Sequence, residues 1–327
     1  MEHLKIGIIG AGHIAEKMAY TLTCMDDAVP YAIASRSLEK AQAFAAKYQM
    51  TKAYGSYEEL AADPFVDLIY IATPHSHHYM HALLALEYGK HVLCEKPFTA
   101  VAWQAEELVR IARAKHLFIG EALWTRYMPI YAKMQELLAA GVIGRPQILT
   151  ANLNYPISNV ERLFNPELAG GALLDVGVYP LHFAFAAFGS AVSDTVSSCV
   201  KLPSGVDGQD SITLIYEDGR LAVLHTGILS RSDRLGIISG ADGHLIVRGC
   251  NCPTELTVYD ADYQIKETYA LPFAITGFEY QVRACKAAIE SGQTESSCLP
   301  HAEILRTIHL LDDLRRQWGV RYPWDKD

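Results

Sequence analysis

Glycines at a fixed spacing near the start of the chain could hold a phosphate group. Residues 10–15 read Gly-Ala-Gly-His-Ile-Ala, which fits the pattern G-x-G-x-x-[GA]. The first glycine allows a tight turn, the second lets backbone approach a pyrophosphate, and the small last residue lets a helix pack on a strand. An apolar strand pattern at Leu4–Ile9 precedes the motif, and a helical pattern follows it. This context predicts dinucleotide binding by Gly10, Gly12, His13 and Ile14, the alternative being a tight strand–helix turn with no ligand.

The end of the second predicted strand, residues 31–34, favours one nicotinamide cofactor over the other. NAD enzymes usually carry an acid at this point, which binds the ribose 2′-hydroxyl. This chain has Ser35 and Arg36 instead. A guanidinium can pair with a 2′-phosphate, whereas an acid would repel it. We therefore predict NADP rather than NAD, the alternative being that Arg36 is a solvated residue beside a helix cap.

Four histidines between residues 75 and 81 could in principle form a metal site, namely His75, His77, His78 and His81. Two of them, His77 and His81, are four residues apart and would share one face of a helix. No acid or cysteine completes the set locally, and the close pair Cys250 and Cys252 lacks a second Cys/His pair at zinc spacing. We predict that no metal binds and that these histidines make polar contacts at the start of a helix.

Strand and helix patterns alternate over about the first 120 residues, after which strands follow one another directly. Repeated strand–helix units predict a parallel sheet that is covered on both faces. From Val196 to Tyr269 the pattern is strand after strand, with a hairpin turn at residues 217–220. The predicted fold is α/β plus α+β. A Rossmann, doubly wound domain occupies residues 1–122, and a substrate-binding and oligomerisation domain on a large, mainly antiparallel open sheet occupies residues 123–327.

Composition excludes several kinds of partner. The 327 residues include 28 Lys and Arg against 37 Asp and Glu, a formal charge of −9 that argues against nucleic-acid and membrane partners. The seven cysteines are dispersed, which is typical of reduced cytosolic thiols rather than of a disulfide framework. We expect no apolar stretch to reach the ~20 residues of a membrane span. The N-terminus reads as a strand rather than a signal peptide. We therefore predict a cytoplasmic protein.

Further segments occur along the chain in the order found in one known family. They are Thr73-Pro74, His78, Gly-Lys-His-Val-Leu-Cys-Glu-Lys-Pro at residues 89–97, Gly-Gly-Ala-Leu-Leu-Asp-Val-Gly-Val-Tyr at residues 170–179, and Gly-Phe-Glu-Tyr at residues 277–280. With these segments the chain resembles the Gfo/Idh/MocA family of oxidoreductases. Residues 121–127 and Tyr179 are most similar to the branch of dimeric dihydrodiol dehydrogenases and NADP-dependent D-xylose dehydrogenases. Inositol dehydrogenases usually have His in place of Tyr179, which argues against an inositol substrate.

The resemblance implies hydride transfer between NADP and a sugar, a polyol or a trans-dihydrodiol, with Tyr179 as general acid/base and Lys96 as its electrostatic partner. A free tyrosine, with a pKa of ~10, is a poor base at neutral pH, and a nearby ammonium lowers that pKa. Asp175 lies four residues before Tyr179, so the two share one face of the helix predicted there. Asp175 could orient the substrate or Lys96. The resemblance also implies cofactor contacts from Thr73, Pro74, His78, Glu95 and Lys96. Singly, Lys96, Tyr179 and Asp175 could instead be a surface lysine, a core tyrosine and a first-turn acid.

Three further residues are candidates for the wall of a substrate pocket, namely Trp124, Arg126 and Phe278. Aromatic faces suit sugars and aromatic diols equally well. A rival interpretation is a regulator that binds a nicotinamide dinucleotide without turnover, since fold does not fix function. A regulator has no reason to keep both Lys96 and Tyr179, which favours the enzyme. In the family the outer face of the second sheet commonly meets another subunit, so we predict a homodimer or a higher homo-oligomer.

Overall fold

The chain folds as two units. The residues that the computed structural model describes are 2–157 and 159–326. The first unit comprises the chain up to Trp124 together with Ala274–Ile308, and the second comprises Thr125–Phe273 and the chain from His309 onward. Residues 274–308 therefore lie with the first unit, which differs from the continuous division between residues 122 and 123. The difference has a physical cause, because the Ile119 amide donates to the Thr294 carbonyl over 3.0 Å.

The strands and helices keep chain order. The strands are β1 (Leu4–Ile9), β2 (Ala28–Ala34), β3 (Lys52–Tyr54), β4 (Leu68–Ile71), β5 (His91–Glu95), β6 (Ile119–Ala122), β7 (Pro146–Asn154), β8 (Asp194–Lys201), β9 (Asp207–Ile215), β10 (Leu221–Gly227), β11 (Leu235–Gly240), β12 (Gly243–Arg248), β13 (Glu255–Asp260) and β14 (Ile265–Ala270). The α-helices are α1 (His13–Thr23), α2 (Leu38–Lys47), α3 (Tyr57–Ala62), α4 (His78–Glu87), α5 (Ala102–Ala114), α6 (Pro129–Ala139), α7 (Val178–Phe188), α8 (Glu279–Glu290) and α9 (His301–Trp318).

The sheet of the first unit has six parallel strands in the order β3-β2-β1-β4-β5-β6. Strands β4 and β6 are buried at every position, so both of their faces are covered, as in doubly wound folds. Local signals in the sequence account for the helix starts. Ser37 caps α2 by accepting a hydrogen bond from the Lys40 amide, and Ser56 and Glu59 form a capping box at the start of α3.

The sheet of the second unit has eight strands in the order β14-β13-β12-β11-β7-β10-β9-β8. Neighbouring strands are antiparallel except β7 and β10, which are parallel. The predicted hairpin turn is confirmed, since it joins β9 to β10 with Gly219 at φ +87°. The predicted fold class, a Rossmann sheet followed by a large and mainly antiparallel sheet, is therefore confirmed.

Helix α7 is the core helix of the second unit. It is preceded by a turn of π-helix at Leu173–Gly177, which we call the π turn. The segment Pro166–Phe188 is long and apolar enough to span a membrane by length and composition, which the sequence prediction did not anticipate. In the structure 94% of its most apolar window is buried inside the protein, as is usual for a core helix.

Candidate active site

Four loops of the first unit carry the predicted cofactor residues at one edge of the parallel sheet. They follow β1, β2, β4 and β5, and they hold Gly10–Gly12, Ser35–Arg36, Thr73–Pro74 and Lys96 respectively. All four strands are parallel, so their carboxyl ends lie at the same edge. The strand order places β1 between β2 and β4, which is the switch point where open α/β sheets bind ligands.

The loop after β1 has the backbone geometry that a phosphate cradle needs. Gly10 has φ +98°, and a Cβ added there would lie 2.8 Å from the Ala72 carbonyl oxygen, so only glycine fits. Gly12 is the N-cap of α1, and a Cβ added there would meet nothing within 4 Å. The first turn of α1 has no side-chain cap, so its amides suit an anion approaching from outside. His13 and Ile14 are the first two residues of that helix.

The loop after β2 borders a depression on the surface of the first unit. This depression, of about 250 Å³, is lined by Arg36, Gly55, Ser56, Tyr57 and Glu58. Arg36 is exposed and Ser35 is half-buried. The guanidinium lies close enough to Tyr57 that its charge opposes the burial that raises the pKa of this phenol. A cation beside an open depression is a suitable environment for an anionic group.

The histidines after β4 contact one another and polar groups. The His77 and His81 rings stack with centroids 5.7 Å apart, and His81 Nδ1 lies 3.0 Å from the Thr73 hydroxyl. Burial, and then the charges of His77, His78 and Arg36, lower the pKa of His81 to about 4, so its ring is neutral at pH 7. Over residues 2–157 and 159–326, no three His, Cys, Asp or Glu side chains are arranged to hold a metal ion.

Buried acids hold the backbone on both sides of Pro97, which follows Lys96 through a cis peptide bond. Glu95 accepts a hydrogen bond from the Tyr70 hydroxyl and another, of 3.3 Å, from the Lys96 amide. Glu121 accepts from the Phe98 amide over 2.9 Å. Burial raises the pKa of Glu95, and it raises that of Glu121 to about 8, so Glu121 stays largely protonated at neutral pH.

His78 joins two of the loops at this edge. Its ring is fully buried, with Nδ1 2.8 Å from the Pro97 carbonyl oxygen and Nε2 3.0 Å from the Thr73 carbonyl oxygen. The loop after β4 is thereby connected to the loop that carries Lys96. Together with Glu95 and Glu121, this histidine fixes the backbone that presents the Lys96 side chain.

Two of the predicted substrate residues come together in the first unit. The rings of Trp124 and Phe278 lie 5.3 Å apart between centroids. The Lys17 ammonium lies 4.0 Å from each of these centroids, which is cation–π geometry. Arg126, the third residue, belongs to the second unit, where its Nη1 lies 3.5 Å from His182 Nδ1.

The predicted acid and tyrosine of the second unit lie at the junction of the π turn and α7. Asp175 is inside the π turn and pairs with Arg162 at 3.0 Å, while Tyr179 is the second residue of α7 and is 9% exposed. The sequence predicts that Asp175 and Tyr179 share one face of a regular α-helix. The structure differs, because the π turn between them closes i→i+5 hydrogen bonds. π-helical turns inside helices are frequent at functional sites.

Sequence reasoning missed several residues that support these positions. Glu121 had a detectable signal, because it is an acid that directly follows an apolar strand pattern. Tyr70 and Lys17 had none, since a tyrosine within a buried strand and a lysine on a helix are ordinary. Arg162 lies in a loop without periodicity, so its pairing with Asp175 could be found only in three dimensions.

Comparison with protein-family models gives two matches that together cover most of the chain. Residues 4–122 match an oxidoreductase family described by its NAD-binding Rossmann fold. Residues 131–247 match the GFO/IDH/MocA C-terminal domain. Both matches fall where the two sheets were found.

Curated relatives match nearly the whole chain. A trans-1,2-dihydrobenzene-1,2-diol dehydrogenase from Danio rerio is 33% identical, with 98% of this chain and 99% of the relative covered. A D-xylose 1-dehydrogenase (NADP(+)) from Hypocrea jecorina is 34% identical, with 98% and 93% covered. Among solved structures, a 3-ketoreductase from Actinomadura kijaniata in complex with NADP and TDP-benzene has a TM-score of 0.87 and 27% identity. The match covers 96% of this chain and 97% of that one.

Proposed function

The chain belongs to the Gfo/Idh/MocA family of oxidoreductases, and from that premise we propose that it is an NADP-dependent dehydrogenase or reductase. Its proposed substrate is a sugar, a polyol or a trans-dihydrodiol, in which a C–OH group is oxidised or the corresponding carbonyl is reduced. The observation that carries this proposal is the brace around Lys96. Three buried side chains, Glu95, Glu121 and His78, position one lysine at the ligand-binding edge of the parallel sheet.

The residues at that edge fit a nicotinamide dinucleotide. The open side of Gly12 and the uncapped amides of α1, beginning with His13 and Ile14, would hold the pyrophosphate. Ser35 and Arg36 would hold the 2′-phosphate of NADP. The remaining proposed cofactor contacts lie in the segment that follows β4 and at the carboxyl end of β5, namely Thr73, Pro74, His78, Glu95 and Lys96. Two relatives whose names specify NADP support this choice of cofactor.

Proton transfer is the part of the reaction that falls to the protein. When bound, NADP supplies the nicotinamide that accepts or donates the hydride. In the oxidation direction the Tyr179 Oη takes the proton of the substrate hydroxyl, and in reduction it returns that proton to the developing alkoxide. The Lys96 ammonium favours the phenolate form of Tyr179, and Asp175 orients the reacting groups from within the π turn.

Two observations support the proposed substrate class, namely the aromatic side chains Trp124 and Phe278 and the named substrates of the curated relatives. Trp124 is 7% exposed and is proposed as an aromatic wall for a sugar or a diol ring, with Phe278, 1% exposed, in ring contact with it. Arg126 is proposed as a hydrogen-bond donor. The named substrates of the relatives are a dihydrodiol and D-xylose. The test is a screen of aldoses, polyols and trans-dihydrodiols with NADP, in which the change in nicotinamide absorbance measures turnover. Turnover on one of these classes supports the proposal. Tight NADPH binding without turnover on any of them contradicts it.

Replacing Arg36 by Ala is expected to weaken NADPH binding and to leave NADH binding unchanged. Hydrogen bonds to a charged group contribute about 1.5–3 kcal/mol, which corresponds to a dissociation constant for NADPH larger by about 10- to 100-fold. Fluorescence titration with both cofactors measures the change. Arg110→Ala, on the exposed surface of α5, is the matched control and should change neither constant. Tighter NADH than NADPH binding by the unmodified protein would show that the preference is wrong.

A homodimer is the expected assembly, formed through the outer face of the eight-stranded sheet. Strand register aligns four apolar side chains and two threonines across one row of that face, in the order Val196, Thr213, Val223, Thr150, Ile237 and Ile246. Val196 is 62% exposed and the other three apolar side chains are half-buried. An apolar face of this kind is typical of a protein interface. Light scattering should give about twice the chain mass of 36.1 kDa, with Ile237→Glu shifting the mass toward one chain. A mass of 36.1 kDa for the unmodified protein would contradict the dimer.

A further inference from the structure

Asp207, the first residue of β9, lies against the backbone of the π turn that carries Asp175. Its Oδ2 accepts a hydrogen bond of 2.5 Å from the Leu173 amide, and the Ala172 amide donates to the same carboxylate. The side chain is fully buried. A carboxylate that accepts two backbone amides fixes the peptide units it bonds, and here these units enter the π turn.

The glycine pair before the π turn is shaped around the same carboxylate. Gly171 has φ +115°, and a Cβ added there would lie 2.2 Å from Asp207 Oδ1. Only glycine permits both this backbone conformation and this close approach. The Gly170 carbonyl accepts a hydrogen bond from the buried Tyr322 hydroxyl. The turn into the catalytic segment is therefore held from two sides within the second unit.

A second buried acid lies beside Asp207. Asp210 accepts a hydrogen bond of 3.1 Å from the Thr226 hydroxyl, which belongs to the residue opposite it on β10. The Asp207 and Asp210 side chains interact with each other, and the Oδ1 atom of each is buried with no other hydrogen-bond partner among the described residues. Two carboxyl groups can share a hydrogen bond only if one of them carries the proton. Asp207 accepts the backbone amides, so the proton belongs on Asp210.

We propose that Asp207 is a positioning residue for the reaction, because its carboxylate fixes the backbone of residues 171–177 and thereby sets where Asp175 and Tyr179 are presented. The proposal rests on the proposed function for the role of Tyr179. Asp207 acts through the peptide units between Gly171 and Leu173, because its carboxylate contacts their backbone. This role also explains why the glycine pair, the acid and the tyrosine occur in one short segment.

The arrangement has a pH dependence. Burial raises the pKa of both acids, and the negative charge of Asp207 raises that of Asp210 further. Other titratable groups near the pair are Cys199 on β8 and Tyr322 from the end of the chain, and Tyr322 in turn lies near Arg315 and Asp325. Stabilisation by a raised carboxyl pKa is present at low pH and is lost as pH rises through the folded-state pKa. Turnover should therefore decline as pH rises through the raised pKa of Asp210, when the second proton leaves and two carboxylates repel each other.

The test compares Asp207→Asn, Asp210→Asn and a matched control in the first unit, Asp63→Asn. Asp63 is likewise buried and accepts a backbone amide, that of Phe65, over 2.9 Å. Three quantities are measured, namely kcat across pH, the dissociation constant of NADPH, and hydrogen exchange of residues 171–179. For Asp207→Asn we expect kcat to fall by about 10- to 100-fold, as small misplacements of catalytic groups do. Exchange of the Ala172 and Leu173 amides should rise, while NADPH affinity stays unchanged.

Asp210→Asn retains a donor to Asp207 but has no second proton to lose, so the decline of kcat with rising pH should disappear in this variant. Asp63→Asn should lower the melting temperature without lowering kcat. If residues 171–179 exchange hydrogen in Asp207→Asn at the same rate as in the unmodified protein, the positioning role is overturned. Equal losses of kcat in Asp207→Asn and Asp63→Asn would also overturn it. If the unmodified protein turns over no substrate, the proposed function fails instead, and the exchange measurement still decides whether Asp207 fixes the segment.

Discussion

Tyr179→Phe is expected to lower kcat by about 100- to 10,000-fold, the usual contribution of a general acid/base. The substitution removes one hydroxyl from a side chain that is 9% exposed, so the fold and the packing of α7 should persist. The proposed cofactor residues belong to the first unit and Tyr179 to the second, and the NADPH dissociation constant should therefore be unchanged. Steady-state kinetics and fluorescence titration measure the two quantities separately.

Tyr216→Phe is the matched control for this prediction. Tyr216 is also a buried tyrosine of the second unit, and its hydroxyl donates to the Gly189 carbonyl over 3.1 Å. Losing that hydrogen bond should cost about 1 kcal/mol of stability without an effect on kcat. Full turnover by Tyr179→Phe would remove this phenol from the mechanism.

Lys96→Met is expected to lower kcat by about 100- to 1000-fold, comparable to the loss of one donor that stabilises developing charge. The neutral side chain has a similar length, and Glu95, Glu121 and His78 still hydrogen-bond the backbone around it. Without the ammonium, the pKa of the catalytic phenol should rise, because an opposite charge that favoured the phenolate is gone. The pH profile of kcat for oxidation should therefore shift toward alkaline pH.

Lys90→Met is the control that separates the expected shift of the pH profile from the general effect of removing an ammonium group. Lys90 donates to the Asp63 and Val66 carbonyls over 2.6 and 2.9 Å, away from the loops at the carboxyl edge. Its replacement should lower the melting temperature and leave the pH profile in place. An unshifted profile in Lys96→Met, with full turnover, would show that Lys96 does not act on the phenol.

Much of the fold could be predicted from local signals. The glycine loop, the Ser37 cap and the capping box at Ser56 each depend on residues within a few positions of one another. Strand β3 was not predicted, because three half-buried residues at the edge of a sheet carry no periodicity.

The candidate site was less predictable because long-range contacts build it. The π turn depends on Asp207, which lies 34 residues after its hydrogen-bond donor Leu173. Residues 274–308 lie with the first unit through contacts such as that between the Thr21 and Thr276 hydroxyls, 255 residues apart. Lys96 and Tyr179, the proposed catalytic pair, lie in segments with a sequence signature, whereas the residues that contact the backbone of these segments, such as Glu121 and Asp207, have none that singles them out.

A double-mutant cycle on Lys96 and Tyr179 tests the central claim most directly. The four proteins are the unmodified chain, Lys96→Met, Tyr179→Phe and the double variant, each assayed by nicotinamide absorbance with saturating NADP and the best substrate. Groups that act as a unit give strongly non-additive losses. We therefore predict that the double variant is no slower than the slower single variant. Losses that multiply would contradict a Lys96–Tyr179 catalytic pair, since each residue would then act independently of the other.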